Sequence, residues 1–309
     1  VAAGVVLAVA AAVVFRPSWS GGAQRPDPAG VTIGSLAGNT STTDPTTSAN
    51  GVALDPGGFA KDACVAFPPT AGDRHRTVFL DAGHGGPDPG AIGAVSAGHP
   101  VAEKALTLPV VLAAARDLRA DGYRVVMSRT VDTGTAAITP ADVDGTIYTT
   151  QGKHNDLMAR IRCADLSGAA ALVSVHFDAY DSSRVRGATT LYDTARTFSA
   201  ANHTLATLLQ HDIVTAMAAG GWQVPDRGVA SDTTAGGGEQ TARGDAYGHV
   251  DVLGPQSPGY VDQATTMPGA LVEPVFITNH AECAIAASPG GQQAIAGGLT
   301  HAVEQFLQP

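Results

Sequence analysis

The chain has 309 residues, 44% of them apolar, which is enough for one large domain with its own core. Its formal charge of −10, with 18 Lys and Arg set against 28 Asp and Glu, leaves no basic excess to neutralise a phosphate backbone and excludes nucleic acid as the partner. Aromatic residues make up 5%, so the core is expected to rest on Val, Leu, Ile and Ala.

Residues 1–15 carry no charged or polar side chain, and Arg16 and Pro17 then stop the run. Residues 1–17 therefore read as a signal peptide or a short N-terminal membrane anchor. Either reading exports the rest of the chain, to the cell wall, a periplasm-like space or the exterior. Residues 18–60 are rich in Gly, Ser, Thr, Pro and Asn, cannot offset their ordering entropy by burial, and read as a disordered tether. A single catalytic domain is expected over 61–309.

Regular patterning begins after Arg74. TVFLDA (Thr77–Ala82) predicts a strand ending in a glycine-rich turn. Ala102–Ala120 predicts a helix with Leu106, Val110, Ala114 and Leu118 on one face, closed by Gly122 and bent at Pro109. A strand at Tyr123–Ser128, a long polar excursion over Thr130–Asn155 and a helix at Leu157–Leu166 follow. Strands are expected at Ala171–Phe177, Ala188–Tyr192 and Ala270–Ile277, and helices at Ser199–Ala218 and Gln292–Leu307. The alternation predicts an α/β fold with a mostly parallel central sheet of about six strands, flanked by helices on both faces.

The cysteines Cys64, Cys163 and Cys283 lack CxxC spacing, which argues against a cysteine zinc site. An oxidising compartment lets two of them pair, with the choice of pair left open and small buried thiols as the alternative.

Open α/β sheets place their sites beyond the carboxyl ends of the strands. Three strand ends supply chemistry here: Gly83-His84-Gly85-Gly86, His176-Phe177-Asp178, and Glu273 within ALVEPVF, while Glu103 opens the helix after the His84 loop. Two imidazoles and a carboxylate make a catalytic zinc set that leaves a fourth position open, and Glu273 remains as a base. Taken singly each residue has a plainer reading. A strand-end histidine is ordinarily a hydrogen-bonded structural residue, and a first-turn glutamate favours the helix macrodipole. His99, four residues before Glu103, falls in a loop before Pro100 and reads as structural.

In order, DAGHGGPDPGAIG, VAEKALTL, LVSVHFDAY and LVEPVFITN resemble the zinc-dependent N-acetylmuramoyl-L-alanine amidase family, the type 3 amidases, from about Val78 to Leu307. The resemblance implies Zn²⁺ held by His84, Glu103 and His176, with Glu273 assisting catalysis. It implies a peptidoglycan or muropeptide substrate, cut at the amide between N-acetylmuramic acid and the L-alanine of the stem peptide, and a monomeric enzyme is expected. No substrate-binding residue is singled out. Arg129, Arg160, Gly187 and Asn279 match the family pattern too. Three departures stand against it: Pro274 replaces the glycine usual after the late glutamate, the 130–155 excursion is long, and Gly254-Pro255 occupies the place of a common arginine. Beside the amidase stand a zinc peptidase acting on the stem peptide and a catalytically weak wall-binding or regulatory homologue. A gated enzyme, blocked by the 130–155 loop or by 235–240, is a further reading.

Overall fold

Period-two burial builds the sheet. In the strand Thr77–Ala82, Val78, Leu80 and Ala82 belong to one buried cluster while Phe79 belongs to the other. Ala171, Val173 and Val175 divide in the same way from Leu172. A computed structural model describes residues 51–95, 99–234 and 241–308. The expected signal or anchor, most of the expected tether and the 235–240 stretch lie outside the described residues.

In chain order the elements begin with β1 (Val52–Ala53), β2 (Ala63–Phe67) and β3 (Thr77–Ala82). A hairpin of β4 (Ile92–Val95) and β5 (His99–Ala102) leads into α1 (Lys104–Ala120) and β6 (Arg124–Arg129). A second, minimal hairpin of β7 (Val143–Asp144) and β8 (Ile147–Tyr148) precedes α2 (Thr150–Ser167), β9 (Ala171–Val175) and β10 (Ala188–Tyr192). The chain closes through α3 (Ser199–Ala219), β11 (Asp226–Ser231), α4 (Ala242–Tyr247), β12 (Gly269–Glu273), α5 (His280–Ala287) and α6 (Pro289–Leu307).

The main sheet has the order β1-β2-β6-β3-β9-β12-β10-β11. Its centre, β6-β3-β9-β12, is parallel throughout, β1, β2 and β6 pair antiparallel on one flank, and β10 runs antiparallel to β12 on the other. The first buried cluster packs α1, α3 and α6 on one face, and the second packs α2 and the 247–267 segment on the other. Layers on both faces of a parallel centre are what such a sheet requires, because its strands are apolar on both sides.

The sheet is eight-stranded rather than about six-stranded, and each added strand hides for a physical reason. β2 is buried at all five positions and shows no alternation, β1 is two residues long, and β11 is a half-exposed edge strand with few apolar residues. Residues 52–60, read by composition as the tether's end, take part in the domain: β1 pairs with β2 and Phe59 is buried. The polar excursion ends at Thr149, whose side chain caps α2 by accepting from the Gly152 N–H (3.1 Å). β12 stops at Glu273, since Pro274 has no N–H with which to continue the ladder. Cys64 of β2 is bonded to Cys163 of α2, and Cys283 is a free buried thiol.

Candidate metal centre

Parallel strands deliver their ends to one edge, and the residues following β3, β9 and β12 meet there. His84 adopts a left-handed φ of 59°, unusual for a residue with a side chain. Its carbonyl accepts a hydrogen bond from Arg160 Nη2 at 2.6 Å, which holds that turn. Arg160 is buried and also donates to Ala82 O (2.8 Å), Asp81 Oδ1 (2.6 Å) and Asp156 Oδ2 (3.0 Å). Burial works against the Asp81 anion, yet Arg160, His176 and the Ser174 hydroxyl hold its carboxyl down at about 2. Asp81 thus braces the His84 turn through Arg160. Arg129, fully buried, donates to the carbonyls of Ala82, Val131, Gly83 and Lys104 and so ties β3 to the start of α1.

The three expected ligands converge. His84 Nε2 lies 2.9 Å from Glu103 Oε2, His176 Nδ1 lies 3.2 Å from Glu103 Oε1, and the two imidazole nitrogens are 3.1 Å apart. Glu103 precedes α1 in helical geometry, and both of its oxygens are aimed: Oε1 accepts from Phe177 N–H and Oε2 from Ala91 N–H, each at 2.9 Å. Backbone room is also reserved. A Cβ on Gly83 would lie 2.4 Å from the His176 ring, and one on Gly90, at φ +67°, would lie 2.6 Å from both Glu103 Oε2 and His84 Cδ2. Ligands at about 2.0–2.2 Å from a tetrahedral zinc sit roughly 3.3–3.5 Å from one another, so this N, N, O set fits such an ion after spreading by a few tenths of an ångström.

The charges agree with that use. Burial disfavours an imidazolium at His84, but the Glu103 and Asp88 carboxylates outweigh it and raise His84 to about 9. Glu103 is held well below the usual carboxylate range by His84 and His176, against the effect of its own burial. A divalent cation would replace the proton that this pair now keeps.

Glu273 ends β12 one residue past the Val272 carbonyl, which accepts the His176 N–H at 3.0 Å, so it stands level with His176 on the neighbouring strand. Its Oε2 is buried and has no hydrogen-bond partner among the described residues. Burial, then Asp178 and Glu103, raise its carboxyl well above the usual value. Asp178 is itself pushed up to about 6, chiefly by burial.

Asp88 escaped the sequence reading although it lies in the same glycine-rich loop. Its Oδ2 meets His84 Nδ1 at 2.8 Å and leaves Nε2 facing the cluster, and its spacing of four from His84 was the available signal. The other family-pattern residues serve the frame. Gly187 N–H donates to buried Glu282, and Asn279 caps α5 and donates to Ser183 O (2.8 Å). The polar excursion borders the centre at its beginning, where Asp132 accepts from Gly86 N–H (2.8 Å) and pairs with Lys104 (2.9 Å).

Residues 78–305 match the family model described as N-acetylmuramoyl-L-alanine amidase. The chain belongs to this family. This amidase-family chain is 26% identical over 232 residues to the germination-specific N-acetylmuramoyl-L-alanine amidase of Bacillus subtilis, covering 75% of the chain and 80% of the relative. It is 31% identical over 205 residues to the N-acetylmuramoyl-L-alanine amidase LytC of the same species, covering 66% of the chain and 30% of LytC. Among solved structures, the CwlD amidase of Clostridioides difficile, described in complex with the GerS lipoprotein, superposes with a TM-score of 0.55 at 22% identity, over 75% of this chain and 98% of that one. An N-acetylmuramoyl-L-alanine amidase from Clostridium difficile 630 gives 0.52 at 24% identity, over 75% and 96%. These structural likenesses extend the shared fold across nearly the whole of each neighbour.

Proposed function

We propose that this amidase-family chain hydrolyses the amide between N-acetylmuramic acid and the L-alanine of the peptidoglycan stem peptide, using Zn²⁺ held by His84, Glu103 and His176. The observation that carries the reading is the convergence of two imidazole nitrogens and a doubly anchored carboxylate within 2.9–3.2 Å, beside a buried carboxyl oxygen that no hydrogen bond from the described residues occupies. When bound, zinc polarises a carbonyl and lowers the pKa of water to about 7.

Glu273 is assigned the proton. With its basicity raised by burial and by neighbouring carboxylates, it accepts a proton from the attacking water and delivers it to the amide nitrogen as the C–N bond breaks. The products are a lactyl carboxylic acid on the sugar and a stem peptide with a free alanine amine. Asp88 positions His84 by fixing which ring nitrogen faces the cluster. All four groups come from one chain, so a monomer suffices. The Cys64–Cys163 bond suits an exported enzyme working at the cell wall, because oxidising compartments keep such bonds.

The test pairs metal content with muropeptide product mass on the unaltered chain and on His176→Ala. Released peptides that begin with intact L-alanine, made only by the zinc-loaded unaltered chain, are expected. Peptides cut within the stem would identify a peptidase instead, and turnover by a metal-free His176→Ala chain would sink the assignment.

A further inference from the structure

A second convergence of ligand-type side chains lies at the opposite end of the sheet. β10 and β11 are parallel, with Tyr192 paired to Ser231, so the residues that follow, Asp193 and Asp232, leave the sheet side by side. Because β10 runs antiparallel to β12, with Thr189 opposite Glu273, Asp193 lies four residues beyond that level. At about 3.3 Å per residue this puts it roughly 13 Å along the strands from Glu273. His249 arrives from the third side: α4 ends in Gly248 at φ +70°, and that left-handed turn sends the chain back toward the two aspartates.

The donors of these three residues converge within 4.8 Å of one another. His249 Nδ1 lies 2.8 Å from Asp193 Oδ2 and 3.2 Å from Asp232 Oδ2. Both aspartates are fully buried. Asp193 Oδ1 is satisfied by the N–H groups of Ala195 and Arg196 (2.8 Å each), and Asp232 Oδ2 accepts from Val250 N–H (3.1 Å). Asp193 Oδ2 is different. It is buried and receives no hydrogen bond among the described residues, although His249 Nδ1 is close, because that nitrogen meets Asp232 at a bonding angle instead. The Arg196 guanidinium donates instead to the carbonyls of Leu253, Gly254 and Thr265 and to the Thr265 hydroxyl. A buried carboxylate oxygen without a donor is costly, and a cation on the same point removes that cost.

We propose that Asp193, Asp232 and His249 form a second metal site, taking a divalent transition-metal ion of the zinc class that ties the ends of β10 and β11 to the segment after α4. The donor set selects that class. Calcium takes six to eight oxygen ligands, whereas one imidazole with two carboxylates in a compact cluster suits zinc. The site shares no residue with the His84–Glu103–His176 set and does not depend on the reading given for it.

Zinc uptake is the readout. The full chain carrying both His84→Ala and His176→Ala is stripped with a chelator, dialysed against micromolar Zn²⁺ and analysed by mass spectrometry for metal, with thermal unfolding followed alongside. One equivalent of zinc per folded chain is expected, together with a zinc-dependent rise in the unfolding midpoint. Both are expected to vanish on adding His249→Gln or, separately, Asp232→Asn. A folded chain that takes up no zinc overturns the proposal, and so does uptake that survives both further substitutions. Should the double-alanine chain fail to fold, the same titration compares the unaltered chain with its single His249→Gln variant. Loss of one equivalent supports the site, and an unchanged count overturns it.

Discussion

The His84–Glu103–His176 set and the Asp193–Asp232–His249 set resemble each other in donors and differ in what surrounds them. At the first, Arg160 and Arg129 brace the loop from below, Asp88 fixes the His84 ring, and a separate carboxyl, Glu273, is left over with a bare buried oxygen. At the second, two carboxylates and one imidazole make up the cluster, and it closes over strand ends on the antiparallel flank. A site that grips a metal and also keeps a spare proton carrier is equipped for turnover. One that only grips is equipped to hold elements together.

The comparison can be broken most forcefully at Glu273. The Glu273→Gln chain should keep its zinc and lose about 10²–10⁴-fold in kcat, the usual worth of a general acid–base group. Metal analysis beside steady-state kinetics checks this, and full turnover would erase the distinction between the two ends. Cys64→Ser should lower the unfolding free energy by about 2–4 kcal/mol, measured by denaturant melts under non-reducing conditions. Asp88→Asn should weaken zinc binding by about 10–100-fold, since outer-sphere partners orient their ligands, and chelator competition reads this directly.

The smallest effect is a pH slope. His84 in the metal-free chain is raised to about 9, so its protonated form stabilises the fold fully below the unfolded histidine value and loses that contribution as pH climbs through 9. Metal must displace that proton. Zinc affinity should therefore rise by about tenfold per pH unit between 7 and 8, on a single-proton exchange. A flat profile in the same competition assay would mean that the Glu103 and Asp88 carboxylates do not hold the proton as described.

Much of this was legible before any coordinates. β3, β6, β9 and β10 begin and end within two residues of their expected places, because apolar runs bounded by glycine or polar turns leave little choice. His84 and His176 stood out as strand-end residues that parallel topology carries to one edge, while their grouping with Glu103 as ligands came from the resemblance to the amidase family. The edges were not readable. β2 is buried throughout and lacks a period, and β11, with the sequence DRGVAS, looks like a turn. The Asp193–Asp232–His249 cluster stayed hidden for the same cause, because it depends on pairing β11 beside β10, and without β11 in view the two aspartates are simply acids after short segments. Asp81 shows a different limit. Its support of the His84 turn acts through Arg160 and depends on a helix packing across 79 residues of sequence.

The Cys64–Cys163 bond joins an outer strand to the helix that carries Arg160, three positions earlier, whose guanidinium supports the His84 carbonyl. The support under the His84 turn is therefore completed by an oxidation that the reducing interior of a cell does not favour. Where thiols stay reduced the chain lacks this tie between β2 and α2, so the firmness of the turn that carries His84 is set by the redox state around it.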